Sequence, residues 1–254
     1  MTDGHIGDAA NIGYSPRPEY LRPMPSDSKS VRSLRVEARR ERIIECAMRH
    51  FAAGGYEGAR MAAIASELDI AKGSIFQRFD SKAGLFFEVY KRAVLSLPAW
   101  LDAPDEVLDR GFFATFSYWL ERTEHLVKED WVPYRVTLIG NFGTDFALKR
   151  QMNRFLISED PYGTLEFVEF GIGRREVRDD VDLEVVASMM DWFADSLQDA
   201  LVNEELDPGL FHRDSKQSGR QRMRVEQFAH VLQGAIGKRA QEHNSPTDVR
   251  QPPG

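Results

Sequence analysis

Between Met61 and Phe79 the apolar residues sit at the spacing of two short helices joined by a turn of three to four residues. Met61, Ile64, Ala65 and Leu68 fall on one side of the first helix. Ile75 and Phe79, four residues apart, face inward from a second helix that begins near Lys72. Packing the first set and Ile70 against Ile75 and Phe79 leaves Lys72, Gly73, Ser74, Phe76, Gln77 and Arg78 on the opposite side. This is the size and pattern of a helix-turn-helix, and the outward set suits a DNA groove. Gly73 lets backbone come close to a phosphate or base edge, at a propensity cost of about 1 kcal/mol. Gln77 and Arg78 offer forked donors to adenine and guanine edges.

The flanking pattern is helical throughout. A first helix is predicted over Val36–Ala53, with Ile43, Ile44, Ala47 and Phe51 on one face and Gly54 and Gly55 ending it. Ser81 is the expected N-cap of a helix over Lys82–Ser96, closed by Pro98. Further helices are expected over 105–126, 133–141, 145–158, from 162 to 171 or beyond, 183–203 and 221–237, with no sustained period of two anywhere. The fold class is therefore all-α. Residues 1–30 and 241–254 carry prolines and glycines among polar residues without an apolar period, and are read as a disordered arm and tail. Between them lie a head, residues 31–80, and a body, residues 81–240.

Charge separates the same regions. The formal net charge of −7 argues against a uniformly basic nucleic-acid binder, but basic residues oppose acidic ones 2 to 4 over residues 1–27, 13 to 8 over 28–92 and 18 to 28 over 93–254. A basic module is joined to an acidic one, as a DNA-binding head on a regulatory or oligomerising body would be. One cysteine permits no internal disulfide, and the first thirty residues contain no continuous apolar segment, so a reducing, cytoplasmic setting is expected. No stretch approaches the roughly 18 to 20 apolar residues that a membrane-spanning helix needs.

The run Gly55-Tyr56, Met61 to Ala65, Ile70 to Phe76, Phe79 and Ser81-Lys82 resembles the N-terminal signature of the tetracycline-repressor (TetR) family of transcription regulators. The resemblance covers about Arg42 to Val89 without gaps. It implies a homodimer with a three-helix DNA-binding head on each subunit and a helical body that holds a small effector. The implied activity is that of a ligand-responsive regulator, most simply a repressor, on a near-palindromic double-stranded operator. Lys82 matches a position that contacts phosphate. This chain departs from the pattern where Ala71 stands at a common Ser and Phe76 at a common Tyr, so a cap and a phosphate-reaching hydroxyl are missing. Asp69 tolerates left-handed backbone and offers a substitute cap. Ala59 and Arg60 replace the usual hydroxyl residues, and Arg60 is read as reaching the phosphate in their place.

Aromatic residues crowd the body and are mostly core by ordinary expectation. As a set they point to an apolar or aromatic effector, with Phe116, Trp119, Tyr134, Arg135, Asn141 and Arg154 as its candidate contacts. Val186, Met189, Met190, Phe193 and Leu197 on one late helix, and Phe228, Val231, Leu232 and Ile236 on the next, supply either a dimer interface or intrachain core. Cys46 with His50, and Glu226 with His230, have the four-residue spacing of a metal pair, but two ligands do not make a site, and Cys46 is read as core. No phosphate loop, nucleophile elbow or paired-carboxylate signature is present, so no catalysis and no cofactor are expected. The alternative reading is a small-molecule-binding or enzymatic helical protein with a vestigial head.

Overall fold

The computed structural model describes residues 31–143, 145–212 and 218–238, and the expected arm and tail lie outside them. Eleven α-helices account for most of the described residues: α1 (Val31–Gly58), α2 (Met61–Glu67), α3 (Lys72–Phe79), α4 (Lys82–Ser96), α5 (Asp105–Leu108), α6 (Phe112–Glu129), α7 (Trp131–Phe142), α8 (Phe146–Glu159), α9 (Thr164–Gly173), α10 (Leu183–Val202) and α11 (Ser218–Ile236). Among these residues the only β-type pairing is an isolated antiparallel bridge between Val177 and Gly237. By contacts the chain divides after Glu41, inside α1. In the first unit Arg40 pairs with Glu41 at 3.5 Å, while Leu34 and Val36 are exposed.

The second unit, from Arg42, contains everything else. Its first core joins the three-helix head to the start of the body. Ile43, Ile44, Ala47 and Phe51 of α1, Ile64 of α2 and Ile75 and Phe79 of α3 are buried with Leu85, Phe86, Val89 and Val94 of α4, Val136 and Ile139 of α7, and Met152 and Phe155 of α8. Helix α4 therefore belongs to both regions. Gly140 on α7 makes this packing possible, since a Cβ there would lie 2.6 Å from the Tyr90 ring. The second core gathers Phe112 and Phe116 of α6, Phe167 of α9, Val186, Met190 and Leu197 of α10, and Val225, Leu232 and Ile236 of α11.

Local chemistry explains the boundaries. Gly55 takes φ 69°, breaking α1 where the sequence places its end. The Ser81 side chain accepts from Gly84 N at 3.0 Å, capping α4. The single helix expected over 105–126 is two, because Gly111 adopts φ 103° and starts α6 afresh. Asp69 is left-handed, with φ 50°, yet no side chain caps α3, so the substitute cap is not formed. Most of the apolar residues on α10 and α11 that were candidates for either core or interface are core: Val186, Met190, Leu197, Leu232 and Ile236 are buried. Only Met189 and Val231 of that set are exposed, and Val185, Trp192 and Met223 are exposed with them.

Candidate functional site

Helix α3 has eight residues and is flanked by α2 and α4, so much of its circumference is covered. Ile75 and Phe79 are buried, while Lys72, Gly73 and Gln77 are exposed. Nothing lies within 4 Å of where a Cβ on Gly73 would stand. Ser74, Phe76 and Arg78 are half-buried rather than free, and Phe76 packs against the core while the Lys72 ammonium lies 5.6 Å from its ring. The sequence reading therefore overstates Phe76 as an outward residue. Arg60 is exposed at the start of α2. Lys82, at the first turn of α4, donates to the Glu57 carbonyl at 3.0 Å and sits 5.1 Å from the Tyr56 ring. These contacts tie the end of α1 to the start of α4.

Within the head the structure adds Glu67 to the Cys46 and His50 pair. Their ligand atoms lie within 4.8 Å of one another, but Glu67 already accepts from Arg49 at 2.7 Å and meets His50 at 2.8 Å. Those bonds, Arg49 first, hold the Glu67 carboxyl down to about 2. Burial, with Glu67 adding to it, pushes the Cys46 thiol up to about 11. A thiol that resists ionisation is a poor metal ligand at neutral pH. The cluster fastens α1 to α2.

The body contains a cavity of about 120 Å³ that opens to solvent. Tyr90 from α4 and Leu97 and Pro98 just beyond it form one wall; Trp100, Trp119, Tyr134 and Tyr162 bring aromatic surface from four further segments. The remaining wall is α10, which presents Asp191, Asp195 and Asp199 at four-residue spacing. Of the six candidate effector contacts, Trp119, Tyr134 and Asn141 line this space. The other three do not. Phe116 is fully buried in the second core, stacked 5.6 Å from Trp100; Arg135 is one residue round α7 from the lining Tyr134; Arg154 is exposed on α8.

The three aspartates line the cavity but are not among the candidate contacts read from the sequence. Their spacing puts them on one face of a helix; three carboxylates four apart on a helix rich in apolar residues is the available signal. Two have partners. Thr164 Oγ1 donates to Asp191 at 2.6 Å, and the Tyr134 hydroxyl donates to Asp199 at 2.8 Å. Asp195 makes no hydrogen bond or ion pair with any described residue, and its side chain is exposed to the cavity that it lines. Burial, then the neighbouring Asp191 and Asp199, push its carboxyl up to about 7, with Lys149 opposing. Burial also raises Asp191 to about 6, against the Thr164 hydrogen bond. Lys149 donates to Asn141 Oδ1 at 2.8 Å, and burial lowers its own affinity for a proton.

Comparison with known proteins bears on the head first. The family described as bacterial regulatory proteins, tetR family, matches residues 43–89. The HTH-type transcriptional repressor AcnR of Corynebacterium diphtheriae is 24% identical over 174 residues, which cover 68% of this chain and 86% of that protein. Two solved structures share the fold. A tetR family transcription regulator from Shewanella sp. PV-4 aligns with a TM-score of 0.55 at 16% identity, over 79% of this chain and 98% of that one. A TetR family transcriptional regulator from Vibrio parahaemolyticus gives 0.53 at 16% identity, over 79% and 99%.

Proposed function

The chain belongs to the tetR family of bacterial transcription regulators, and from that premise we propose that it is a cytoplasmic, ligand-responsive repressor that binds a near-palindromic operator as a homodimer. The observation that carries the DNA-binding part is the division of α3 into a buried face, Ile75 and Phe79, and a solvent face, Lys72, Gly73 and Gln77. Gln77 reads a base edge; Lys72, Gly73 and Ser74 bring the helix start to the backbone, and Arg60, Arg78 and Lys82 flank it as phosphate contacts. Phe76 acts through packing, holding Lys72 from beneath.

The dimer forms through the outward apolar stripe of α10 and α11, where Val185, Met189, Trp192, Met223 and Val231 stand exposed. Two recognition helices then enter successive major grooves only when their separation matches the helical repeat, roughly 34 to 36 Å. Helix α4 is the lever. Lys82 lies at its head end, Tyr90 on its third turn faces the cavity, and its 15 residues span about 22 Å. An effector that fills the cavity in only one position of α4 shifts the head spacing by its differential affinity for the two states. No helix of the described residues is long and apolar enough to cross a membrane, which agrees with action on DNA.

The test is selection of bound duplexes from a randomised DNA pool at near-physiological salt. A recovered palindrome whose half-sites are one helical turn apart is the expected result. Failure to enrich any sequence, with a folded protein, would overturn the proposal.

A further inference from the structure

Beyond an apolar effector of unspecified charge, we propose that the cavity is built for an organic cation with a flat or bulky aromatic body, held by Asp195 between the rings of Tyr90, Trp100, Trp119, Tyr134 and Tyr162. This deepens the regulatory reading and rests on it for the consequence of binding, though the binding itself is independent of DNA.

The argument begins with what the fold leaves unfinished. A carboxylate taken out of bulk water is costly unless paired, and Asp191 and Asp199 are each given a hydroxyl donor. Asp195, between them, is given none among the described residues and is aimed into the open space. The groups facing it from each packed element are Asp191 and Asp199 on α10, Lys149 on α8, Tyr90 on α4, Tyr134 on α7 and Tyr162 ahead of α9. Lys149 does not complete it, since its ammonium is directed to Asn141 and is itself desolvated. Three carboxylates against one ammonium repel an anionic ligand. A neutral ligand would leave Asp195 as unpaired as before. A cation supplies the missing partner, and the aromatic side chains that line the space add a surface to which cations are attracted. A diffuse organic cation also costs less to desolvate than a metal ion, which the apolar lining cannot ligate.

The proton chemistry gives a signature. In the empty cavity Asp195 holds its proton up to about pH 7, chiefly because it is buried and then because Asp191 and Asp199 adjoin it. A bound cation favours the ionised form, so binding releases a proton, and affinity rises as the pH passes upward through about 7. An uncharged ligand of the same shape shows no such rise.

The experiment uses the full chain and two probes, methyltriphenylphosphonium and triphenylphosphine oxide, which share three rings and differ in charge. Equilibrium dialysis at about pH 8 is expected to show at least about tenfold tighter binding of the phosphonium, shrinking towards parity near about pH 5.5. Asp195→Asn should abolish the preference and leave the oxide's affinity unchanged, whereas Asp195→Glu, which restores the charge, should retain it. Circular dichroism of both variants establishes that they are folded. Equal binding of the two probes, no binding of the phosphonium, or a preference that survives in folded Asp195→Asn overturns the proposal. Release of the selected duplex is measured separately. A phosphonium bound through Asp195 that leaves DNA in place supports the ligand class and sinks the regulatory role. A neutral probe that binds equally and releases DNA does the reverse.

Discussion

The head and the cavity wall are made from the same helical grammar, yet they solve opposite electrostatic problems. On α3 the charged and polar groups stand in water, and their positions follow from two buried residues four apart, Ile75 and Phe79. On α10 three carboxylates point inward, and their cost is set by residues from α4, α7, α8 and α9. A groove-reading face must be solvated until DNA arrives, so the fold needs only to present it. A cavity that turns a carboxylate without a protein partner toward its opening leaves that charge to water until a ligand arrives, and under the proposal above the ligand's own charge completes it. The difference is between a surface that is ready and an interior that is incomplete.

The largest effect should come from removing what presents the ready surface. Phe79→Ala deletes a buried ring where α3 meets the first core, and is expected to cost about 3–5 kcal/mol, read as a lowered denaturation midpoint. DNA affinity should fall on every sequence alike. A loss of base preference with stability intact would mean that α3 does not depend on this core.

Gly140→Ala tests the other region. Its Cβ would meet Tyr90, whose ring closes the cavity wall, so the ring or α7 must shift at about 1–3 kcal/mol. Affinity for the phosphonium probe should change while duplex selection by the ligand-free protein stays the same. An unchanged probe affinity would remove Tyr90 from the wall.

These two variants also mark what was legible in the sequence. Helix positions and the inner and outer faces of α3 follow from spacing within a few residues, so Met61 to Phe79 could be read directly. Phe76 was misplaced because its burial depends on neighbours that spacing does not reveal. The cavity draws on segments from Tyr90 to Asp199, and no local period announces it. Trp119, Tyr134 and Asn141 are large or polar residues on aromatic-rich helices and line the space, whereas Arg135 and Arg154, equally plausible as polar contacts, lie outside the lining. Asp191, Asp195 and Asp199 do not stand out in the sequence because apolar residues dominate the pattern of α10. Most of those positions serve the core, and the exposed stripe lies on Val185, Met189 and Trp192.

Gln77→Ala should change the base preferred at one half-site position by about 1–3 kcal/mol and leave other positions alone. Equal loss on all sequences would reject a base-reading role. Asp195→Asn should stabilise the ligand-free protein at higher pH. A carboxyl raised to about 7 in the fold favours the native state fully below its unfolded value, and that contribution is lost as pH rises through about 7. The variant should therefore flatten the fall in melting temperature between about pH 4 and 7. Because water in the cavity screens the group, the gain at the upper end is about 1–2 kcal/mol rather than the full shift. A fall that is as steep in the variant would mean that another group, Asp191 first, carries it.

The smallest effect is the most discriminating about how the two regions are joined. Lys82 already donates to the Glu57 carbonyl and lies over Tyr56, so its removal costs stability whether or not DNA touches it, by about 0.5–1.5 kcal/mol for one hydrogen bond. Stability alone cannot separate a brace from a phosphate contact. Salt dependence can. A lysine that neutralises one phosphate adds about 0.9 to the slope of log affinity against log salt, so Lys82→Ala should reduce that slope by about one unit per site contacted, with base preference unchanged. A variant that binds more weakly with the slope intact would make Lys82 a fastener between α1 and α4, and would leave Arg60, Lys72 and Arg78 to carry the backbone contacts.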